Sequence, residues 1–427
     1  MSGGGPAIGR ARAVLSHYGA GAPGTDPDAL ADLYRDLHAH PEPGFGEERT
    51  AAVGTAALSE AGYQVTTGVG GTGVVGVLRS GPGPAVLLRA DMDALPVREL
   101  TGLPYASRSG GPGDDRPPLM HACGHDMHVS CLIGAASVLA DAAAHWSGTV
   151  LAVLQPSEEN GAGARAMLDD GLYARFGTPD AVFAQHVFPL PAGVLALRPG
   201  LVLGATESVE VTLTGRGGHG SQPHRTVDPV VMAAASVMRL QGVVAREVDP
   251  EEQAVLTVAR LRAGHAENVI PDEAVLTLNA RAFDTDVLRR VVAAARRILD
   301  GEAAASGAPV PPRYRGLGAF PTTVNDPAAT ARLGDAFGEV LGADRVVPMD
   351  RMIGSEDMGH FGTDAGAPSV FWGLGSLVPG TAPAPESDSA GNHSPYFAPA
   401  VEPTLSTGVR AMTLAALTAL GPPDHPA

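Results

Sequence analysis

Four potential metal ligands stand close together in the segment HACGHDMH, at positions 121–128 of the chain. Thiolate and imidazole are standard ligands for zinc-like ions, and a Cys-x-His pair such as Cys123 and His125 can reach one ion from a single turn. A closed zinc site that only holds a loop would need four ligands and nothing more. The cluster therefore predicts metal binding, and it leaves open whether the metal is structural or catalytic.

An adjacent pair of carboxylates, Glu158 and Glu159, supplies what a structural zinc site does not need. The pair follows the apolar run TVLAVLQP and precedes the Gly-rich segment NGAGARAML. In an extended loop, neighbouring side chains point in opposite directions, so one carboxylate can bind a metal while the other handles a proton. A general base beside a metal-activated water is what amide hydrolysis requires. A solvated surface loop is the alternative interpretation of the pair.

Further candidate ligands follow apolar runs of strand length. The run AVLLRAD ends at Asp91, two residues before Asp93, and DAVFAQHV ends at His186. A last histidine, His393, comes after the run SVFWGLG, and the segment VSCLIGAASVLADAA predicts a buried helix. This alternation predicts an α/β sheet with helices on its faces, and such sheets bind ligands at the carboxyl ends of their strands.

The pattern changes near residue 205, and a chain of 427 residues is too long for one ordinary core. There the segment ESVEVTLTGRGG alternates apolar and polar residues, as a half-exposed antiparallel strand does. We therefore predict a discontinuous catalytic domain at 25–204 and 316–427, interrupted by an α+β insert at 205–315. Residues 1–24 are expected to be a flexible leader.

Composition narrows the classes of partner. The formal net charge of −17 argues against nucleic acid and anionic membranes, because both select basic surfaces. The chain contains no apolar run of transmembrane length. Its two cysteines, Cys123 and Cys131, argue against a disulfide framework. A reduced Cys123 fits a cytoplasmic location, whereas Cys131 lies in the apolar helical segment and is expected to belong to the core.

Eight motifs stand in an order that resembles the dinuclear-metal amidohydrolases. This group includes hippurate hydrolase, N-acyl-amino-acid amidohydrolases and the indole-acetyl-amino-acid hydrolases of plants, and it is related to aminoacylases and the carboxypeptidase G type. The motifs are RADMDALP, HACGHDMH, QPSEENGAGARAM, QHVFPLPAG, GRGGHGSQPH, ENVIPDEA, GSEDMGHF and NHSPYF. The resemblance covers roughly residues 28–420. It implies an α/β catalytic domain with a dinuclear metal site, and an inserted lid or dimerisation domain.

The resemblance also implies roles for individual residues. Two divalent ions, which could be Zn²⁺, Mn²⁺, Co²⁺ or Ni²⁺, would be held by Cys123, His125, Glu159, His186 and His393. Glu158 would act as general base and then as general acid. Asp93 would orient a metal ligand. Asp91 falls where most of the wider family has a metal-binding histidine, so its role stays open, with a cap of the strand-end turn as the alternative.

Three residues of the insert complete the implied site. His219 would stabilise the tetrahedral oxyanion, and Asn268 and Arg281 would hold a substrate carboxylate. The expected substrate is an N-acyl amino acid or a similar small amide with a free carboxylate. The resemblance further implies a homodimer or higher homo-oligomer, with His219 serving the site of a partner subunit. A dipeptidase, a carboxypeptidase and a non-catalytic metal-binding relative are the alternatives.

Overall fold

The computed structural model describes residues 5–22, 24–111, 116–378 and 391–423, which divide into two compact units. The first unit takes its described residues from Met1–Val202, Val324–Arg351 and Asp357–Ala427. The second unit comprises Leu203–Thr323 and Met352–Glu356. It therefore includes a short return segment that lies outside the insert predicted at 205–315.

The helices and strands are numbered in chain order. The α-helices are α1 (Gly5–Leu15), α2 (Pro27–Ala39), α3 (Glu48–Glu60), α4 (His125–Asp141), α5 (Gly163–Asp169), α6 (Leu172–Phe176), α7 (Pro229–Leu240), α8 (Gly242–Glu247), α9 (Thr285–Ala305), α10 (Pro327–Phe337), α11 (Gly359–Ala365) and α12 (Thr404–Ala419). The strands are β1 (Gln64–Val69), β2 (Gly73–Ser80), β3 (Ala85–Asp91), β4 (Gly148–Gln155), β5 (Ala181–Pro191), β6 (Leu195–Leu197), β7 (Gly200–Leu203), β8 (Ala205–Thr214), β9 (Gly218–His219), β10 (Ala254–Ala263), β11 (Val269–Ile270), β12 (Glu273–Ala282), β13 (Arg313–Phe320), β14 (Thr323–Asn325), β15 (Val346–Pro348) and β16 (Ser369–Leu377).

The central sheet of the first unit brings several strand ends to one edge. Its strand order is β1-β2-β4-β3-β5-β16-β6-β15. Strand β3 pairs in parallel with β4 and β5, and β5 pairs in parallel with β16. The carboxyl ends of these four strands therefore lie at the same edge. This mixed sheet with packed helices confirms the predicted α/β fold, and its edge is where the candidate ligands collect.

Helix α4 carries candidate ligands on its first turn and packs deep in the first unit. Its residues from His125 to Leu139 are buried, including Cys131, as expected for a helix that is apolar on most sides. Gly134 permits the close approach of α12 and α2, because a Cβ there would lie 2.7 Å from a Val409 methyl and 2.9 Å from a Leu30 methyl. Among the described helices, none is long and apolar enough to cross a membrane.

The expectation of a flexible leader is wrong for the described residues 5–15, because they form α1. Val14 is fully buried and Ala11 nearly so, and both belong to the main core. The Arg10 guanidinium donates hydrogen bonds to the carbonyl oxygens of Leu417 (2.9 Å) and Gly421 (2.6 Å), at the end of α12. A cation suits the carboxyl end of a helix, where carbonyl groups lack helical partners.

The second unit is an antiparallel sheet with strand order β10-β12-β8-β13, covered by helices. Val209, Val211 and Leu213 of β8 are buried, and the residues between them are less so, which agrees with the alternation in the sequence. Helices α7 and α9 pack against each other and against this sheet. A separate two-stranded ladder pairs β9 with β11 and brings Val269 opposite His219.

Candidate metal centre

Six side chains predicted to act at the metal site converge at the carboxyl edge of the first unit's sheet. Potential ligand atoms within each of three overlapping groups lie within 4.8 Å of one another. The groups are Cys123, His125 and His186; His125, Glu158 and Glu159; and Cys123, Glu159 and His393. The overlap gives one continuous cluster, which has more donors than a single tetrahedral ion requires.

His125 is placed by the start of α4 and by Asp93. Gly124 is the N-cap of this helix at φ 79°, a conformation that favours glycine, and a Cβ there would lie 2.3 Å from a Val187 methyl. Nδ1 of His125 lies 3.2 Å from Oδ1 of Asp93, to which it donates. This hydrogen bond leaves Nε2 of His125 directed into the cluster. Asp93 therefore holds the orientation of the His125 ring.

The carboxylate pair lies in a turn that begins three residues after the end of β4, and not in the extended loop expected from the sequence. The backbone N–H groups of Glu158 and Glu159 both donate to the Asp93 carboxylate, each at 3.0 Å. The turn brings both carboxylates close to His125, whose Nε2 lies 4.0 Å from Glu158 Oε2 and 3.8 Å from Glu159 Oε1. Asp93 therefore positions both glutamates and the imidazole together.

The turn has a second support that the sequence interpretation missed. The Ser157 N–H donates to Oε1 of Glu47 at 2.8 Å, and Glu47 also accepts a hydrogen bond from Thr72. Ser157 has φ 53°, in the left-handed region that a residue with a side chain seldom adopts, so its surroundings must hold it there. Glu47 is fully buried, and its burial raises the pKa of its carboxyl. The residues around Glu47, GFGEER, carry no local signal of this contact.

Cys123 and His186 face each other, with Sγ 3.4 Å from Nε2. His186 lies within β5 and not at its end, since the strand continues to Pro191. Its Nδ1 donates to the carbonyl oxygen of Val187 at 2.8 Å, which leaves Nε2 with a lone pair. Burial lowers the pKa of His186 well below its usual value, so the ring is neutral and suited to metal coordination.

His393 reaches the cluster from a different part of the chain. Its Nε2 lies 3.4 Å from Oε2 of Glu159, and its side chain is 57 % exposed. The His393 N–H donates to the carbonyl oxygen of Ala122 at 2.7 Å, which ties this loop to the segment that carries Cys123. The site is thus buried on the sheet side and accessible beside His393.

The chemistry of the donors fits divalent metal ions. Among the described residues, His125 Nε2 and Glu159 Oε1 are buried without a hydrogen-bond partner, although they lie only 3.8 Å apart. Such atoms are costly to bury unless something else pairs with them. Burial, and then the charges of Glu159 and Glu158, raises the pKa of the Cys123 thiol well above its usual value. A bound cation would reverse that effect, because a coordinating thiol is deprotonated.

Asp91 is not a turn cap, because it belongs to a buried charge network. Its carboxylate accepts hydrogen bonds from Arg89 (2.7 Å) and from Nδ1 of His128 (2.5 Å). Burial opposes ionisation of Asp91, but Arg89, His125 and His128 outweigh it and hold the pKa of Asp91 well below its usual value. Nε2 of His128 accepts from the Val187 N–H at 2.9 Å. Both ring nitrogens of His128 are therefore occupied, which separates it from the neighbouring ligands.

The three site residues predicted in the insert, His219, Asn268 and Arg281, all lie in the second unit. His219 is exposed, and its Nδ1 accepts hydrogen bonds from the N–H and the hydroxyl of Ser221. Asn268 lies beside it across the β9–β11 ladder, since its carbonyl accepts from the Gly220 N–H at 2.8 Å. Arg281 is half-buried and donates to the Ile353 carbonyl at 3.0 Å, so it is not a freely outward-facing strand residue.

Comparison with known proteins identifies relatives of the chain. Residues 87–418 match the family model described as peptidase family M20/M25/M40. Hippurate hydrolase of Campylobacter jejuni is 36% identical over 332 residues, which cover 77% of this chain and 84% of that protein. Thermostable carboxypeptidase 1 of Saccharolobus solfataricus is 33% identical over 355 residues, covering 82% of this chain and 86% of that protein.

A solved structure supports the same family assignment. The YXEP protein of Bacillus subtilis, described as a dinuclear metal-binding peptidase from the M20 family, superimposes with a TM-score of 0.70 at 28% sequence identity. The superposition covers 92% of this chain and 97% of that chain. With the fold, the clustered donors and the matched region in agreement, the chain belongs to the peptidase family M20/M25/M40 and is a metal-dependent amide hydrolase.

Proposed function

We propose that the chain hydrolyses N-acyl amino acids, or similar small amides with a free carboxylate, with Glu158 as general base and acid. The observation that carries the proposal is the convergence of one thiol and three imidazoles on the Glu158–Glu159 pair, in which Glu158 is nearly buried and Glu159 is partly exposed. When bound, divalent cations supply Lewis acidity to an amide carbonyl and to the attacking water. Cys123, His125, Glu159, His186 and His393 would hold them.

The position of Glu158 in its turn, beside the proposed metal ligands, suits it to proton transfer. Its backbone is fixed by Asp93, and its carboxylate is nearly buried at the edge of the donor cluster. A base in this position can take a proton from water attacking the amide carbon and return it to the departing amine. Glu159 is closer than Glu158 to His125 and also lies beside His393, which favours it as the ligand.

His219 and Arg281 are the proposed contacts to the substrate from the second unit. Because Nδ1 of His219 accepts two hydrogen bonds, the neutral ring carries its proton on Nε2 and can donate it to a developing oxyanion. Nε of Arg281 donates to Oδ1 of Asn279, and one terminal nitrogen donates to the carbonyl oxygen of Ile353. These bonds hold the guanidinium in place and leave further N–H groups for a carboxylate. Asn268 is the proposed additional donor.

The name of the Campylobacter jejuni relative, hippurate hydrolase, supports an N-acyl amino acid as the substrate class. The similarity to thermostable carboxypeptidase 1 favours carboxypeptidase activity as the second candidate. Both reactions cleave an amide next to a free carboxylate and use the same metal site. The ligand set of one thiolate with imidazoles and carboxylates accepts zinc, manganese, cobalt or nickel. A free Cys123 thiol fits a reducing compartment, and on that ground we propose a cytoplasmic location.

We also propose that the chain forms a homodimer through the second unit, with His219 serving the active site of the partner subunit. Strand β10 lies at one edge of the sheet, where its outer backbone groups can pair with another strand. On this strand Leu261 is 46% exposed, and on α7 Val231 and Met238 are 65% and 75% exposed. Apolar side chains of this size on an edge strand and a helix face support self-association.

The substrate class is tested by assaying hippurate, other N-acyl amino acids and dipeptides after loading the metal-free protein with each candidate ion. We expect release of free amino acid from N-acyl substrates, loss of this activity on chelation, and recovery with Zn²⁺, Mn²⁺, Co²⁺ or Ni²⁺. Faster cleavage of peptides than of N-acyl amino acids would favour the carboxypeptidase alternative. Undiminished activity in protein verified to be free of metal would contradict the proposed mechanism.

The two glutamates are expected to differ in what their substitution removes. Glu158→Gln should retain its metal and lose turnover by roughly 10²–10⁴-fold, the usual contribution of a positioned base. Glu159→Gln should lower the metal content itself, because it removes a ligand charge. Metal analysis of both purified variants, beside their turnover, checks the assignment. If Glu158→Gln loses metal while Glu159→Gln keeps it, the two roles are reversed.

The shared site is tested by complementation between two inactive variants, His219→Ala and Glu158→Gln. Unfolding and refolding them together at equal amounts gives about half mixed dimers, and one of the two sites in each has both residues intact. About a quarter of the wild-type activity should therefore return. Differently tagged subunits verify that mixed dimers form. Mixed dimers without activity would mean that His219 acts in its own subunit or not in catalysis.

A further inference from the structure

The peptide groups around Val187 connect several ligand-bearing parts of the first unit. The carbonyl oxygen of Val187 accepts from Nδ1 of His186 at 2.8 Å and from Nδ2 of Asn392 at 3.0 Å. Its N–H donates to Nε2 of His128 at 2.9 Å. Val187 therefore contacts His186, which is a proposed ligand, and Asn392, which is the neighbour of the proposed ligand His393. It also contacts His128 in the first turn of α4.

The contact through His128 continues into the sheet. Nδ1 of His128 donates to Asp91, so its Nε2 must be the acceptor for the Val187 N–H. Burial is the largest influence on His128 and lowers its pKa, which agrees with a neutral ring. Asp91 is in turn held by Arg89, which is fully buried on β3. This sequence of bonds fixes the N–H side of Val187 relative to β3.

The contact through Asn392 reaches the exposed side of the donor cluster. Asn392 immediately precedes His393, and its Nδ2 lies 3.8 Å from Sγ of Cys123 in addition to its bond to Val187. His393 has φ 69°, a left-handed conformation that a residue with a side chain seldom adopts unless its surroundings hold it. The bond from the His393 N–H to Ala122 and the bond from Asn392 to Val187 supply this restraint.

We propose that Asn392 and His128 are positioning residues that act through Val187, a role that rests on the proposed metal assignment. Asn392 sets the location of His393 and directs an amide N–H toward the Cys123 sulfur, where it stabilises the thiolate. His128 fixes the backbone next to His186. Neither residue is a ligand in this assignment, because the nitrogens of both are engaged with the protein.

The inference predicts an uneven effect on the two ions. Asn392 contacts Cys123 and directly precedes His393, so it bears on two donors of the group formed by Cys123, Glu159 and His393. The group formed by Cys123, His125 and His186 shares Cys123, but its His125 is oriented independently by Asp93. Loss of the Asn392 amide should therefore lower the affinity for one of the two ions by about 10–100-fold, which is the usual effect of removing a partner of a metal ligand. The other ion should bind nearly as in the wild type.

The test is a titration of the metal-free protein with Co²⁺ in competition with a chromophoric chelator, following the thiolate-to-cobalt charge-transfer absorption. The variants are Asn392→Ala and Asn392→Asp. Asn392→Asp keeps the shape of the side chain but replaces its N–H donor with an acceptor facing Val187 and the Cys123 sulfur. We expect the wild type to bind two Co²⁺ ions tightly and each variant to bind only one tightly. The charge-transfer band of the variants should be weaker or shifted.

Asn325→Ala is the matched control. The Asn325 side chain is buried and donates to the carbonyl oxygens of Arg198 and Phe371, so its loss removes comparable hydrogen bonds elsewhere in the first unit. This control should lower thermal stability and leave both cobalt affinities unchanged. His128→Gln, which keeps an acceptor for Val187 but loses Asp91, tests the second residue and should weaken cobalt binding.

The outcomes separate this inference from the proposed function. Wild-type protein that binds fewer than two ions would overturn the metal assignment on which the inference rests. Wild-type protein with two ions, together with wild-type affinities in Asn392→Asp, would overturn the inference and leave the assignment intact. An equal loss of affinity in Asn325→Ala and Asn392→Ala would also overturn it, since general destabilisation would then account for both.

Discussion

Carboxylates buried at the carboxyl edge of the central sheet impose the main physical constraint on the first unit. Asp91 and Asp357 are fully buried, and Asp93 and Glu158 nearly so. Burying a charge without a partner is costly, so each carboxylate has to be compensated. The Arg89 guanidinium donates hydrogen bonds to both Asp91 and Asp357. The backbone N–H groups of Glu158 and Glu159 donate to Asp93.

The remaining negative charge lies where the ligands meet. Burial opposes a charge on His125, but Asp91, Asp93 and Glu159 outweigh it and raise the pKa of His125 to about 10. The same carboxylates that attract a proton to this ring would attract a divalent cation, which could bind Nε2 in place of the proton. The site is thus built around a deficit of positive charge. Divalent cations would relieve that deficit beside Glu158, the residue that we propose for proton transfer.

Much of this arrangement could be predicted from the sequence, because apolar runs of strand length indicate the strands and the candidate ligands lie in or just after those runs. The apolar runs that became β3, β4, β5 and β16 were visible, and parallel pairing brings their carboxyl ends together. The alternation in β8 likewise indicated a different kind of sheet. These features depend on residues close in sequence, where periodicity carries the information.

The parts that escaped prediction depend on partners distant in sequence. Helix α1 looked like a leader because its contacts with α12 come from the opposite end of the chain. The turn at Glu158 depends on Glu47, and the loop at His393 on Val187. One signal was available, since Arg89 interrupts an otherwise apolar strand and a charge there requires a buried partner. The hydrogen bonds of Asn392 had no comparable signal.

The most direct test of a dinuclear site is to locate the ions by anomalous diffraction from crystals grown with Mn²⁺ or Zn²⁺. We expect two peaks about 3.5–4 Å apart, as in other two-metal sites. Both should be bounded by Cys123, His125, Glu159, His186 and His393, and His128 should remain on Val187 and Asp91. A single peak, or an ion coordinated by His128, would contradict the proposed dinuclear site.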